Sequence, residues 1–387
     1  MLKHLLRGGG SSLDGNSWVA LLGGSNYDIG SSVAVAPDGS VYVCGRTYSA
    51  GAGSDDLLLA KFSSSGTVQW QKTLGKPGNY DIGISVAVAP DGSAYVCGQT
   101  GSAGAGYYDF IIAKFSSSGT VQWQKTLGGS DLDSGSSVAV APDGSVYVCG
   151  VTHSVGAGKS DLLFAKFSSS GTVQWKKTIG GSDLESGYSV AVAPDGSVYV
   201  SGFTASAGAG SADLLLVKFS SSYTVQWQKI LGGSSIEYGN SVAVAPDGSV
   251  YVCGQTYSAG EGKYDFLIVK FSSSGTVQWK KTLVGSADSL GASVAVAPDG
   301  SVYACGHTQA AGAGSNDLLL VKITDSLIEQ DTVTFGSFTF KNASLTFNNV
   351  SLTIASRNLA VYNAGLTVTT PSLPVGTSSL TTNLYTL

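Results

Sequence analysis

The sequence predicts an all-β chain built from repeated four-stranded antiparallel sheets, on three observations. The segment V-A-V-A-P-D-G occurs six times, its aspartate standing at Asp38, Asp91, Asp143, Asp195, Asp247 and Asp299, at spacings of 53 and then 52 residues. Between copies the apolar residues alternate with small or polar ones over short, β-branched runs. The composition agrees: 53 Gly supply turns, and charged residues make up only 12% of the chain, where an ordinary soluble domain carries about 25%.

Each element follows from its residues. Strand a is V-A-V-A, in which Val33 and Val35 share one face. Strand b is V-Y-V-C, as at Val41 to Cys44. A Gly/Ala/Ser-rich loop leads to strand c, L-L-L-A-K-F from Leu57 to Phe62, and strand d is V-Q-W-Q-K from Val68 to Lys72. The turns are P-D-G between a and b and S-S-G between c and d, where Pro presets φ and Gly admits positive φ. A unit this small cannot bury both of its faces alone. Four-stranded units at a period of about 50 residues stack around an axis as the blades of a β-propeller.

Closure can be read from the ends. The d-strand tryptophans are Trp18, Trp70, Trp123, Trp175, Trp227 and Trp279, so the chain opens on a d strand, Asn16 to Leu22, and its last repeat stops after strand c at Lys322. The opening strand is expected to complete the last blade and hide the edges of an open sheet. The expected organisation is a flexible tether over 1–15, a six-bladed propeller over 16–326, a linker over 327–332 and a β-rich tail over 333–387.

The repeats resemble the bacterial β-propeller repeat family SBBP, whose pattern is W, L-G-G, D-x-G and then V-x-x-D-G-x-V-Y-V-x-G-x-T. The residues that carry it run from Trp123 to Gly129, through Asp133 and Gly135, to Val140-Ala-Pro-Asp-Gly-Ser-Val-Tyr-Val-Cys-Gly150 and Thr152, and they recur in all six copies. The resemblance implies a propeller and no defined activity.

After Asp325 the period changes. Phe338, Leu345, Leu352, Leu359, Leu366, Leu373 and Leu380 fall every seven residues, and Phe340, Phe347, Ile354, Val361, Val368 and Val375 follow two places later. A coiled coil needs apolar residues three and four apart; residues two apart share a face only on a strand. The tail is thus a series of short strands separated by four-residue polar turns, with little apolar surface to bury alone. Two arrangements supply the missing surface. One is a homotrimer wound about a threefold axis, similar to the triple-stranded β-helical shafts of phage fibres and spikes, with Phe338, Phe340, Leu345, Phe347, Leu352, Ile354, Leu359, Val361, Leu366, Val368, Leu373 and Val375 at the oligomeric core. The other is a meander docked on the propeller's side.

Chemistry is sparse. His153 and His307 belong to loops of different blades and are read as surface histidines. Cys44, Cys97, Cys149, Cys253 and Cys305 occupy one position in successive repeats and are read as buried reduced thiols. The phosphate-loop near-match His153-Ser-Val-Gly-Ala-Gly-Lys-Ser160 lacks its first glycine and its helix, so Lys159 is read as loop variation. Arg7, Arg46 and Arg357 are too few for a sialidase-type site. The recurrent carboxylates Asp28, Asp81, Asp133, Glu185 and Glu237, and Asp56, Asp109, Asp161, Asp213, Asp265 and Asp317, are read as turn-holding groups. No catalytic residue, metal or cofactor is assigned. A net charge of −5 excludes an electrostatic nucleic-acid binder, and no apolar run is long enough to insert in a membrane.

The repeats differ most in the loops between b and c. These carry Arg46, Tyr48, Gln99, Tyr107, Tyr108, Val151, His153, Phe203, Gln255, Tyr257, Tyr264, His307 and Gln309, whereas the a–b and c–d turns repeat almost unchanged. Loops on a rigid scaffold are where binding resides, and Arg46, Tyr48, Gln99, Tyr107, Tyr108, His153, Phe203, Tyr257, Tyr264 and His307 form the candidate surface. The reading is a non-enzymatic attachment protein, a virion appendage made in bacterial cytoplasm, whose partners are itself, other virion proteins and a host receptor or glycan. The alternatives are a monomeric, lectin-like binding module of a bacterial cytoplasm or cell surface, and a glycan-active enzyme.

Overall fold

The computed structural model describes residues 20–52, 54–259, 263–310 and 315–323, and short strands between 332 and 376. Among the described residues every regular element is a strand. A two-residue strand, β1 (Leu21–Leu22), comes first. Sheet I contains β2 (Asp28–Val35), β3 (Val41–Thr47), β4 (Asp56–Phe62) and β5 (Val68–Gly75). Sheet II contains β6 (Asp81–Val88), β7 (Ala94–Thr100), β8 (Asp109–Phe115) and β9 (Val121–Gly128). Sheet III contains β10 (Asp133–Val140), β11 (Val146–Thr152), β12 (Asp161–Phe167) and β13 (Val173–Gly180). Sheet IV contains β14 (Glu185–Val192), β15 (Val198–Thr204), β16 (Asp213–Phe219) and β17 (Val225–Gly232). Sheet V contains β18 (Glu237–Val244), β19 (Val250–Thr256), β20 (Asp265–Phe271) and β21 (Val277–Val284). Sheet VI contains β22 (Ser289–Val296), β23 (Val302–Thr308) and β24 (Asp317–Ile323). In each sheet the strands lie side by side in chain order. These are the a, b, c and d strands expected of a propeller repeat.

The turns form for the reasons their residues suggest. In the first a–b turn Gly39 has φ +79°, its N–H donates to Ala36 O at 3.0 Å, and Asp38 Oδ1 accepts from Ser40 N at 2.8 Å. In the c–d turns Gly66, Gly119, Gly171 and Gly275 take φ of +82° to +83°, and Tyr223 holds the same place in sheet IV at φ +67°. A tyrosine in that region is strained by its Cβ, so something must hold it. Its ring lies 5.0 Å from Trp175 and under Lys166 Nζ at 4.2 Å.

The c strands explain the stacking. β4 is buried at all seven positions, so its leucines need apolar neighbours on both faces. The chain divides into two compact units, one of 1–104, 111–126 and 362–387, the other of 105–110 and 127–361. In the first, Leu57, Leu59 and Leu74 of sheet I pack on Val86, Val96 and Ile111 of sheet II. In the second, Phe164 and Ile179 meet Val200 and Leu215, Leu214 and Leu231 meet Val252 and Leu267, and Phe266 and Ile268 meet Val294 and Val302. Each such side chain contributes about 1.5–3 kcal/mol of burial. The d-strand tryptophans cap the seams: Trp70 Nε1 donates to Ser117 O at 3.0 Å and Trp227 Nε1 to Ser273 O at 3.3 Å.

Two strands break the burial pattern. β2 leaves Val33 63% and Val35 67% exposed, and β24 leaves Leu318 81% and Leu320 65% exposed. Among the described residues, β24 is hydrogen-bonded to β23 alone in sheet VI, and β1 pairs with a strand of the tail. Residues 16–19 of the expected closing strand lie outside the described residues, as does the 1–15 tether.

The tail's seven-residue period acquires its meaning here. Its strands are β25 (Thr332–Phe335), β26 (Phe338–Asn342), β27 (Thr346–Asn348), β28 (Thr353–Ala355), β29 (Ala360–Asn363), β30 (Thr367–Thr369) and β31 (Val375–Gly376). β26 joins sheet V beside β21, β27 joins sheet IV, β28 sheet III, β29 sheet II and β30 sheet I, each as the strand outside d, while β31 pairs with β1. The register repeats. Phe340 is opposite Leu283, Phe347 opposite Leu231, Ile354 opposite Ile179, Val368 opposite Leu74 and Val375 opposite Leu22. A seven-residue step forward in the tail thus matches one repeat backward in the sheets. Within one chain the described tail strands thus lie against its own sheets, as the docked arrangement expects. Leu345, Leu352, Leu359, Leu366 and Leu373 of the expected trimer core lie outside the described residues.

Candidate functional site

In sheets I to V, strand a opens with a carboxylate that ties two loops together. Asp28 accepts from Gly24 N and from Ser49 Oγ, both at 2.8 Å, and from Thr47 Oγ1 at 2.5 Å. Glu185 accepts from Gly181 N at 2.7 Å and from Thr204 Oγ1 at 2.6 Å; Glu237 accepts from Gly233 N at 2.7 Å and Thr256 Oγ1 at 2.8 Å. In sheet VI, Ser289 replaces the acid and pairs with Thr308 at 2.8 Å. The d–a loop is thereby fastened to the b–c loop of the same repeat. A second acid at the start of strand c holds the b–c loop itself: Asp56 accepts from Ala52 N at 2.8 Å and Asp161 from Ala157 N at 3.0 Å.

The two sets of acids meet across neighbouring sheets. Burial, and then the nearby Glu237, push the Asp213 carboxyl up to about 6. Burial is also the main cause raising Asp109, with Asp133 adding to it. Among the described residues no group of three or more His, Cys, Asp and Glu side chains could hold a metal ion. The cysteines are free thiols, Cys44, Cys97, Cys149 and Cys253 buried and Cys305 half-buried, and burial pushes Cys44 up to about 12. Lys159 pairs with Asp183 at 2.9 Å, and strand β12 follows it, so no phosphate cradle forms.

The predicted surface residues sort into groups. In the first unit, Arg46 pairs with Asp55 at 3.3 Å, Tyr48 is 48% exposed, and Gln99 lies opposite Ile82 in the β6–β7 ladder. In the second unit, the rings of Tyr107 and Tyr108 meet edge-on at 4.8 Å, and His153 Nδ1 lies 3.1 Å from Leu132 O. His307 is opposite Leu290. The rings of Tyr257 and Tyr264 meet at 5.2 Å and 72°. Together with Lys263, Ala287, Asp288 and Gln309 they line a cavity of about 310 Å³.

Phe203 belongs to a cluster the loop-based reading missed. Its ring lies 4.9 Å from Tyr238 and 5.6 Å from Tyr188, and those two tyrosines are 6.2 Å apart. Tyr188 and Tyr238 are strand a residues, in β14 and β18. The signal was available: equivalent positions are Ile, Ser, Leu, Asn or Ala in the other repeats, so both depart from a pattern that otherwise holds. Burial, and then Tyr264, raise the Tyr238 phenol, and burial with Tyr238 pushes Tyr188 up to about 12. These hydroxyls therefore stay protonated. Phe203, Tyr188 and Tyr238 form one aromatic cluster, and Tyr264 of the cavity lies close enough to Tyr238 to influence its phenol.

Sequence comparisons agree with this architecture. The SBBP family, described as a β-propeller repeat, matches residues 17–51. A domain of unknown function described as a β-propeller, DUF5122, matches residues 36–68 and 245–277. Over these residues the chain is similar to β-propeller repeats, in keeping with its repeated four-stranded sheets. The regulatory protein FlaEY of Caulobacter vibrioides is 28% identical over an alignment of 174 residues that covers 40% of this chain, and the chain spans only 18% of that protein's length. Among solved structures, an inactive variant of virginiamycin B lyase from Staphylococcus aureus with quinupristin is 9% identical, covering 76% of this chain and 80% of that one at a TM-score of 0.41. A gluconolactonase from Xanthomonas campestris is 11% identical, covering 78% and 98% at a TM-score of 0.39. A putative glucose dehydrogenase from Thermus thermophilus is 15% identical, covering 79% and 100% at a TM-score of 0.40.

Proposed function

We propose that the chain is a non-catalytic binding module: a six-bladed propeller, its last blade completed by the strand from Asn16 to Leu22, that meets its partner through the b–c and d–a loops. One observation carries the reading. The differences between repeats are concentrated in loops whose ends the strand a carboxylates hold in place and in strand residues of β14, β15 and β18, where Tyr188, Phe203 and Tyr238 cluster close to Tyr264. A rigid scaffold with variable, aromatic loops is how recognition surfaces are built. The repeated acids are engaged in holding loops, which supports a binding role over a hydrolytic one.

The test uses the labelled full-length chain on an array of glycans and peptides. A variant combining Tyr48→Ala, Tyr108→Ala and Tyr257→Ala should lose the bound signal with its melting temperature unchanged. A control combining Ser65→Ala, Ser118→Ala and Ser170→Ala in the c–d turns should keep it. The opposite pattern, or turnover of an arrayed glycan, would overturn the reading.

A further inference from the structure

The cavity between Tyr257, Tyr264, Asp288 and Gln309 has a lining that selects among ligands. At about 310 Å³ it stands at the small end of ligand pockets, which run from about 300 to 1,000 Å³. Its aromatic wall is a right-angled pair: Tyr257 is 40% exposed, and Tyr264 meets it at 72°. The polar wall is already braced from within. Tyr264 N donates to Asp288 Oδ1 at 3.0 Å, Gln309 N donates to Asp288 O at 2.8 Å, and Gln309 Nε2 donates to Asn316 Oδ1 at 3.3 Å. Lys263 Nζ donates to Ser286 O. Each side chain is therefore positioned before any ligand arrives, which lowers the ordering cost of binding.

Charge then narrows the choice. Tyrosine pairs facing a carboxylate suit a quaternary ammonium group, but Lys263 lines the same cavity and repels a cation. Asp288 in turn repels an anion. The two formal charges cancel, and what remains is an exposed ring face, acceptors on Asp288 and Gln309, and donors on the tyrosine hydroxyls and Lys263. A ring with one C–H-rich face and hydroxyls around its edge matches each of these: the face stacks on Tyr257 and the hydroxyls pair with the polar wall.

We infer that this cavity is a subsite for one or two residues of a neutral saccharide, with Tyr257 as the stacking platform and Asp288 and Gln309 as hydroxyl acceptors. The inference rests on the binding-module reading and adds the ligand class and its location.

The test is calorimetric titration of the full chain with cellohexaose, maltohexaose and chitohexaose, alongside anionic oligogalacturonate and cationic chitosan oligomers. At least one neutral hexasaccharide should bind, and both charged sets should not. Tyr257→Ala should weaken binding at least tenfold and Tyr257→Phe less than threefold, because the ring face is kept. Ser118→Ala, exposed in the c–d turn of sheet II, should leave it unchanged. Binding of a charged set alone, no saccharide binding, or indifference to Tyr257→Ala would each overturn the inference. If no saccharide binds while a peptide on the array is held and is lost in the Tyr48, Tyr108 and Tyr257 triple variant, the subsite falls and the binding-module reading stands.

Discussion

Replacing Asp213 with asparagine should make the protein more stable at neutral pH. Asp213 is fully buried, accepts from Gly210 N at 3.2 Å, and lies beside Glu237, whose oxygens already accept from Gly233, Thr256 and Ser258. Its carboxyl is raised from 3.8 to about 6 by burial first and Glu237 second. Between those values the folded protein holds a proton that the unfolded chain has released, so stability is complete below about pH 4 and is lost as pH rises through 6. At about 1.4 kcal/mol per pH unit, the site costs up to about 3 kcal/mol at pH 7.5 relative to pH 4. Asparagine keeps the shape and the acceptor and has nothing to ionise. Urea unfolding of the wild type and Asp213→Asn at pH 4.0, 5.0, 6.0 and 7.5 isolates the site, because other carboxylates cancel in the difference. The variant's advantage should grow by about 2–3 kcal/mol across the range. A difference that stays constant with pH, or a variant less stable at pH 7.5, would show that Asp213 is ionised in the folded protein.

Other consequences are open to direct measurement. A Cβ added at Gly232 would lie 1.2 Å from Asp213 Oδ1, so Gly232→Ala should destabilise by at least about 2 kcal/mol. Adding Asp213→Ala should recover part of that loss in a double-mutant cycle; simple additivity of the two would place the clash elsewhere. Tyr223→Gly relieves about 1 kcal/mol of backbone strain but gives up the Trp175 and Lys166 contacts, worth about 2 kcal/mol together. Chemical denaturation should show a net loss of about 1 kcal/mol, and a gain would mean those contacts contribute little. With its tail docked on its own sheets, the full chain should scatter light as one 39.2 kDa copy. Ending the chain at Ile323 should expose five d-strand edges and promote association. A mass three times larger for the full chain, with a monomeric truncation, would restore the trimeric shaft.

The strands and turns were legible because their causes are local. A P-D-G turn needs only its own residues, and the wholly apolar run from Leu57 to Ala60 already states that both faces of the strand must be covered. The carboxylates were legible as turn-holders for the same reason. Their meeting in pairs was not, since Asp213 and Glu237 begin strands of different sheets. Tyr188 and Tyr238 were missed because their strand positions are polar or aliphatic in other repeats, and only the fold brings them to Phe203.

The tail marks the boundary most clearly. Its own residues determined that it forms strands, since apolar side chains two apart share a face on no other regular element. They left its partner undecided, because a Φ-x-Φ strand pairs equally well with any free sheet edge. That choice depended on the d strands of the repeats, which offer Leu283, Leu231, Ile179, Leu74 and Leu22 as successive partners in one register. Backbone conformation follows from neighbours in the chain, but hydrogen-bond partners across sheets are selected by surfaces that exist only once distant repeats have packed.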